Sequence, residues 1–326
     1  MKTGSRQAVP AGAASGCYTP AVLAAISSGS NNSSLRDPLL RIVVLGNSQA
    51  LVVATFERSR IEGTYGELLE RRLRARGVET LVFNEARWWD LIQYLRPRLV
   101  PSLAVHTPDV VVLGYGMGEC EANIPPTWMM RIMDDARWTP RLYPAARAVR
   151  KVLLRPAERL RSWTYRAIVP RLGMRTWRLR PSRFEAELKR TIEWTRRQTG
   201  GLVIVLTMHD PGDELEKLLP GFRERAELFN RIMRDVVAAY DSPEVQIVEA
   251  GPALDKVGEE TATIDGIHFT PIGHEAIAEL LDAAITEWMA STARRGQSPW
   301  RGVAGVEASP ARRRAAGPRR SAAGSE

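Results

Sequence analysis

Cysteine and long apolar runs are both scarce in this sequence, and each absence excludes a class of protein. The 326 residues include only two cysteines, Cys17 and Cys120, which is too few for a disulfide framework. Neither cysteine has a second Cys or His at the spacing of metal ligands, so no metal site is expected. No run approaches the ~20 apolar residues of a bilayer-spanning helix, and the short run at residues 21–26 lacks the basic segment of a signal peptide. We therefore expect a cytoplasmic protein without a transmembrane segment.

Lysine is also scarce, and the positive charge of the chain is confined to two segments. Only five of the 46 basic residues are lysine. Residues 131–183 carry a net charge of +12 and residues 294–326 a net charge of +6, although the whole chain carries +9. The remainder of the chain is therefore acidic, with a net charge of −9. The basic character belongs to one internal segment and to the C-terminal tail.

Regular apolar patterning covers one continuous part of the chain, which predicts a single main domain at residues 39–292. Residues 1–38 are rich in Ala, Gly and Ser, and residues 293–326 are rich in Arg, Ala, Gly and Pro. Both ends have too few large apolar side chains to offset the entropy of ordering. We expect a disordered N-terminal tail and a disordered, basic C-terminal tail.

Within the domain, short apolar runs alternate with helical patterns. Five runs are typical of buried strands: residues 42–45, 79–83, 108–114, 202–206 and 245–248. Helices are predicted at residues 49–56, 65–76, 89–96, 184–198, 223–240 and 271–289, with Pro97 ending the third. Apolar strands that alternate with helices form a parallel sheet covered on both faces. The sequence thus predicts an α/β fold, a three-layer α/β/α sandwich around a flavodoxin-like five-stranded parallel sheet, in which chemistry collects at the carboxyl ends of the strands.

Two distant segments carry the residue types of a serine hydrolase. Ser48 follows Gly46 and Asn47 in a tight turn after the first strand, whereas Asp265 and His268 lie together on one short loop. A serine hydroxyl is a poor nucleophile at neutral pH and needs a histidine to take its proton. The histidine in turn needs an acid that fixes its tautomer and offsets its developing charge. Ser48, His268 and Asp265 are therefore the candidate catalytic residues.

Three segments follow the layout of a known family: residues 46–48 after strand one, the glycine-bearing loop 114–120 after strand three, and the Asp-x-x-His of residues 265–268 before the last helix. Together they resemble the SGNH (GDSL-type) hydrolases, over roughly residues 41–285 apart from the basic segment. The resemblance implies a Ser-His-Asp esterase on a flavodoxin-like sheet, with no metal or organic cofactor. It also implies that Ser48 is the nucleophile, that His268 is the general base and then the general acid, and that Asp265 orients His268.

The loop after strand three departs from the family pattern at an oxyanion donor. The family places an Asn side chain where this sequence has Gly116, and a glycine in a second block where residues 84–89 contain none. One lost donor costs ~3 kcal/mol of transition-state stabilisation. Backbone N–H groups near Gly116, Met117, Ala86 or Arg87 are therefore the candidate oxyanion donors, and these residues are candidates to line the substrate cleft.

Four further polar residues have roles that the pattern suggests. His209, after the fourth strand, is a substrate-cleft candidate, and it is not paired with its neighbour in sequence because adjacent residues of an extended chain point apart. Glu119 is expected to order its loop by accepting backbone hydrogen bonds. Asn230 is expected to bind backbone from its helix, and His274 to pack or to cap.

The basic segment forms an insertion at about residues 121–183, in which Trp and Tyr are interleaved with Arg and interrupted by Pro. One interpretation is a solvated insertion whose Arg stems cover apolar patches. The other is a lid over the active site that offers an Arg/Trp surface to an acidic partner, such as an acidic glycan or a phosphopantetheine-bearing carrier, or to a membrane surface. No motif of a nucleic-acid-binding fold accompanies the charge, so nucleic acid is not an expected partner.

The combined pattern predicts a serine esterase that acts on a small or medium ester substrate, neutral or anionic. Two alternatives stay open. The first is an acyltransferase with the same triad, in which a sugar or another hydroxyl replaces water as the acceptor. The second is a binding protein that keeps the fold and has lost turnover, which the weakened donor set and the large insertion would both explain.

Overall fold

In the computed structural model of the protein, the described residues are 39–55, 58–60, 63–88, 90–121 and 178–294, with the single residues 163 and 167. The predicted N-terminal tail, most of the predicted basic insertion and the chain beyond residue 294 lie outside them. Within the described part of the chain, no helix combines the length and the hydropathy that crossing a membrane requires.

A parallel sheet forms the centre of the domain. The strands are β1 (Leu40–Gly46), β2 (Val52–Thr55), β3 (Arg58–Arg60), β4 (Thr80–Asn84), β5 (Val110–Gly114), β6 (Leu202–Leu206) and β7 (Val245–Val248). Strands β2 and β3 form a separate antiparallel pair, and the other five are arranged β4-β1-β5-β6-β7 with every neighbouring pair parallel. This is the flavodoxin-like strand order. The predicted fold class is therefore confirmed.

Helices cover both faces of this sheet. They are α1 (Tyr65–Ala75), α2 (Ile92–His106), α3 (Met117–Cys120), α4 (Pro181–Thr199), α5 (Gly212–Leu218), α6 (Phe222–Ala238), α7 (Gly251–Val257), α8 (Glu259–Ala262) and α9 (Pro271–Arg294). The strand residues Val43 and Val111 belong to one hydrophobic cluster, with the side chains of α2, α4 and α6. Their neighbours Val44 and Val112 belong to the other cluster, with α1 and α9. The central strands β1, β5 and β6 are buried on both faces, which agrees with their nearly continuous apolar sequences.

The helix predicted to end at Pro97 is longer than expected. It runs from Ile92 to His106 and contains both Pro97 and Pro101. A proline inside a helix removes one hydrogen bond and costs ~3 kcal/mol. Here Leu95 and Leu99 are fully buried in the cluster shared with α4 and α6, and burial of each leucine returns ~1.5–3 kcal/mol. Tertiary packing therefore outweighs the local signal at Pro97.

The helix predicted at residues 49–56 is wrong. Ser48–Ala50 form a single 3-10 turn, and Val52–Thr55 are strand β2. Two consecutive valines and a threonine have stiff β-branched side chains, which favour an extended backbone. The serine turn is therefore followed by a short hairpin and not by a helix.

A buried ion pair joins two residues within the bounds of the predicted insertion, Glu121 and Arg178. Arg178 Nη2 lies 2.5 Å from Glu121 Oε2, and the two side chains are only 3% and 5% exposed. The backbone N–H of Arg178 also donates to the carbonyl of Glu121 at 2.8 Å. Residues 121 and 178 are therefore fixed side by side, next to the loop that follows β5.

We expect Arg178→Ala to lower the free energy of unfolding by ~3–5 kcal/mol, because it removes a buried counter-charge from the buried Glu121 carboxylate. The matched control is Arg71→Ala, since Arg71 pairs with Glu67 at the surface and its side chain is 66% exposed. The control should change stability by less than ~1 kcal/mol. Urea unfolding of both variants measures the difference, and equal effects would contradict a structural role for the buried pair.

Candidate active site

Ser48 lies in a turn whose position is fixed by the two residues before it, Gly46 and Asn47. The Asn47 side chain accepts a hydrogen bond from the backbone N–H of Gln49 at 3.1 Å, and so caps the 3-10 turn that begins with Ser48. Gly46 has to be a glycine because a Cβ there would lie 2.9 Å from the carbonyl oxygen of Gly114 on β5. The turn therefore stands at the carboxyl edge of the sheet, where β1 and β5 end together.

Asp265 and His268 are held in a compact loop. A bridge between Thr263 and Phe269 closes the loop at its base. The carboxylate of Asp265 accepts the backbone N–H groups of Ile267 at 3.0 Å and His268 at 2.8 Å through Oδ1. Its second oxygen, Oδ2, remains directed at the His268 ring.

The structure brings Ser48, His268 and Asp265 into one hydrogen-bonded chain. His268 Nδ1 lies 2.7 Å from Asp265 Oδ2, and His268 Nε2 lies 2.9 Å from Ser48 Oγ. The Gln49 side chain donates to the carbonyl of Ile267 at 3.2 Å, which links the serine turn to the loop. An ionised Asp265 can only accept a hydrogen bond, so Nδ1 of His268 carries the ring proton. In the neutral ring, Nε2 then has the lone pair, which faces the serine hydroxyl. This is the arrangement in which a histidine can take the proton of a serine.

The pKa of the Asp265 carboxyl group is lowered, which favours its hydrogen bond to the His268 ring. Partial burial acts to raise the pKa of its carboxyl group, but the hydrogen bonds from the His268 ring and from the backbone N–H groups of His268 and Ile267 outweigh it. The pKa therefore lies below its ordinary value. Asp265 is ionised at neutral pH and can stabilise a positive charge on His268.

Three of the four predicted backbone oxyanion donors already donate to other groups. The N–H of Gly116 donates to Glu119 Oε2 at 2.8 Å, that of Arg87 to the carbonyl of Gly46 at 3.1 Å, and that of Ala86 to Asn84 Oδ1 at 3.1 Å. Met117, the remaining candidate of this group, is buried in the hydrophobic cluster of α2, α4 and α6.

The missing asparagine at position 116 has a geometric cause. Gly116 has a φ of +131°, which side chains rarely adopt. A Cβ there would also lie 2.6 Å from Met233 Cε and 2.8 Å from Met208 Sδ. The conformation of the loop after β5 therefore disfavours a side chain at position 116.

The roles suggested for Glu119, Asn230 and His274 agree with their contacts. The fully buried Glu119 carboxylate accepts the N–H of Ile92 at 2.7 Å as well as that of Gly116. The Asn230 amide binds both the N–H and the carbonyl of Met208, at 2.8 and 2.9 Å. His274 Nδ1 accepts the N–H of Tyr65 at 3.2 Å, and so caps the first turn of α1. Each side chain fixes backbone near the carboxyl edge of the sheet.

His209 is placed beneath the loop of residues 263–269. Its side chain is buried, at 4% exposure for the residue, and its Nε2 lies 3.1 Å from the carbonyl oxygen of Gly266. A 280 Å³ groove borders it on the side of α6 and β7. His209 therefore contacts the same loop that carries Asp265 and His268.

Sequence reasoning missed Gln49 and Trp88. Gln49 adjoins the nucleophile, and only its long-range bond to Ile267 reveals its role. The Trp88 ring lies 5.5 Å from the His268 ring, tilted by 44°. The sequence signal that could have pointed to Trp88 was its place in residues 84–89, the segment after β4 that was compared with the second block of the SGNH hydrolases.

We expect Gly266→Ala to disrupt the loop that carries Asp265 and His268. Gly266 has a φ of +75°, and a Cβ there would overlap the carbonyl oxygen of Pro211, so the variant should lose ~2 kcal/mol or more of stability. Gly251→Ala is the matched control, because Gly251 is helical and a Cβ there would meet no atom within 4 Å. Thermal unfolding of both variants tests this, and a harmless Gly266→Ala would show that the loop has another conformation.

Glu119 predicts a pH dependence of stability. Burial raises its pKa from 4.5 to about 7, against the opposing hydrogen bonds from Ile92 and Gly116. The folded protein therefore binds this proton more tightly than the unfolded chain does. The contribution of proton binding at Glu119 to the free energy of unfolding is complete below pH 4.5 and is lost as the pH rises through about 7.

The stability difference between wild type and Glu119→Gln should accordingly fall by up to ~3 kcal/mol between pH 4.5 and pH 8. Urea unfolding of both proteins across this range isolates the effect of one carboxyl group. A difference that stays constant with pH would mean that Glu119 titrates normally.

Comparison with known proteins identifies relatives in fold but none in sequence. No family model matches the chain, and no curated protein matches it. The solved structure of TesA matches 76% of this chain and 99% of its own length, at 17% identity and a TM-score of 0.48. The lipase/acylhydrolase from Enterococcus faecalis matches 76% and 95%, at 17% identity and a TM-score of 0.49.

A third solved structure, the acetylxylan esterase Axe2 from Geobacillus stearothermophilus, matches 76% of this chain and 94% of its own, at 15% identity and a TM-score of 0.48. These neighbours are hydrolases of the SGNH type. At such identities the likeness concerns the fold alone. The five-stranded parallel sheet with helices on both faces, in the strand order reported above, is the fold that the resemblance to the SGNH hydrolases predicts.

Proposed function

We propose that this protein is a serine hydrolase that cleaves a carboxylic ester through an acyl-enzyme. The observation that supports the proposal is the continuous chain from Ser48 Oγ through His268 to Asp265, with donor-acceptor distances of 2.9 and 2.7 Å. Both distances fall within the range that proton transfer requires. The chain stands at the carboxyl edge of a parallel sheet, where this class of fold binds its ligands.

In the proposed reaction, Ser48 Oγ attacks the ester carbonyl carbon while His268 Nε2 takes the hydroxyl proton. The tetrahedral intermediate collapses, the bond to the alcohol oxygen breaks, and His268 returns the proton to the leaving alcohol. Water then attacks the acyl-serine with His268 again as the base, and the acid leaves as Ser48 is regenerated. Asp265 stays ionised throughout and stabilises the imidazolium form of His268.

The developing oxyanion of the tetrahedral intermediate needs a hydrogen-bond donor at the site. We propose that the backbone N–H of Ser48 binds it, because this N–H moves with the nucleophile and the N–H groups of Gly116, Arg87 and Ala86 donate elsewhere. A set that is one donor short lowers the rate by ~10²–10³-fold. The hydrolase would then be slow on unactivated esters and would favour activated ones.

Ser48→Ala and His268→Ala should each lower kcat for p-nitrophenyl acetate by ~10⁴-fold or more, because each removes one end of the proton transfer. The matched control is Ser242→Ala, since Ser242 lies before β7 at the opposite edge of the sheet and hydrogen-bonds to Glu244. The control should keep wild-type kinetics.

Circular dichroism of all three variants checks that the fold is intact. Turnover retained in Ser48→Ala or His268→Ala would reject the triad. A wild type that binds esters without releasing product would instead favour a binding protein of this fold. That alternative is relevant because the N–H groups of Gly116, Arg87 and Ala86 donate to other groups and not into the site.

A further inference from the structure

His209 is a buried histidine that the proposed reaction does not use. It follows β6, lies beneath the loop of residues 263–269, and contacts the carbonyl oxygen of Gly266 through Nε2 at 3.1 Å. A carbonyl oxygen can only accept, so Nε2 carries the proton in this contact. Burial lowers the pKa of His209 to about 4, so that the ring is neutral at pH 7. His209 is therefore a fixed, uncharged donor.

The backbone of His209 is anchored from a helix. Asn230 on α6 binds both the N–H and the carbonyl of Met208, the preceding residue, at 2.8 and 2.9 Å. The His209 ring also packs against the ring of Phe269, with centroids 5.2 Å apart. The position of the donor is thus set by α6 and by the closing end of the loop.

The carbonyl that His209 binds shares a peptide group with a donor to Asp265. The C=O of Gly266 and the N–H of Ile267 belong to one planar unit. The N–H of that unit donates to Asp265 Oδ1 at 3.0 Å, on the side opposite to the carbonyl. A rotation of this peptide would move the hydrogen bond away from Asp265. His209 therefore constrains, through one rigid group, the carboxylate that orients His268.

The geometry points to His209 as a positioning residue of the proposed reaction: its Nε2–H fixes the peptide between Gly266 and Ile267, and thereby the Asp265 carboxylate against His268. This inference rests on the proposed function.

The test compares two polar substitutions of similar size. His209→Gln can place an N–H near the position of Nε2, whereas the shorter side chain of His209→Asn cannot reach it. We expect His209→Asn to lower kcat for p-nitrophenyl acetate by ~10–100-fold with KM changed less than ~3-fold, because misplacement of catalytic groups acts on the chemical step. His209→Gln should stay within ~3-fold of wild type.

A second readout does not depend on turnover. The proton shared by His268 Nδ1 and Asp265 should give a downfield NMR signal that persists in wild type and His209→Gln and is lost or broadened in His209→Asn. Equal kcat and equal spectra for the two variants would overturn the role of His209, while a wild type active through Ser48 would leave the hydrolase proposal intact. Conversely, an inactive wild type whose signal still follows this pattern would reject the hydrolase and keep the role of His209 in the loop.

Discussion

The hydrogen bond between Ser48 Oγ and His268 Nε2 joins residues that are 220 positions apart in the sequence. It forms only because the fold of the domain brings the two residues together. Ser48 lies in the turn after β1, whereas His268 lies in the loop between α8 and α9. Small displacements of either loop would break the bond, because a hydrogen bond weakens steeply with distance and angle. The surrounding contacts accordingly fix backbone on both sides of it.

These contacts have a common pattern, in which a polar side chain satisfies backbone groups of a turn or loop. Asn47 caps the serine turn, Gln49 binds the carbonyl of Ile267, and Asp265 accepts two N–H groups of its own loop. Glu119 does the same for the loop after β5. Such bonds define loop conformation where no regular secondary structure can, which suits a site built at the ends of strands.

The fixed conformation of the loop after β5 limits the hydrogen-bond donors that the loop can offer. Its conformation places Gly116 at positive φ against two methionines and gives its N–H to Glu119. In the proposed hydrolase, this conformation leaves no side-chain donor at position 116 and directs the Gly116 N–H to Glu119. We therefore expect the proposed hydrolase to have a low turnover.

The sequence was sufficient for the features that depend on local pattern. Continuous apolar runs predicted all five strands of the main sheet, and the spacing of Ser48, Asp265 and His268 relative to those strands predicted that they would meet. The features it did not reveal depend on packing between distant elements. The continuation of α2 through Pro97 needed the buried contacts of Leu95 and Leu99, and the position of His209 beneath Gly266 needed the course of the loop itself.

The most direct test of the central claim is the reaction of the protein with a fluorophosphonate, followed by mass spectrometry of its peptides. The account predicts one adduct, on Ser48, formed by wild type and lost in His268→Ala, because only a serine whose proton a histidine removes attacks phosphorus readily. No adduct, an adduct on another serine, or undiminished labelling of Ser48 in His268→Ala would contradict it.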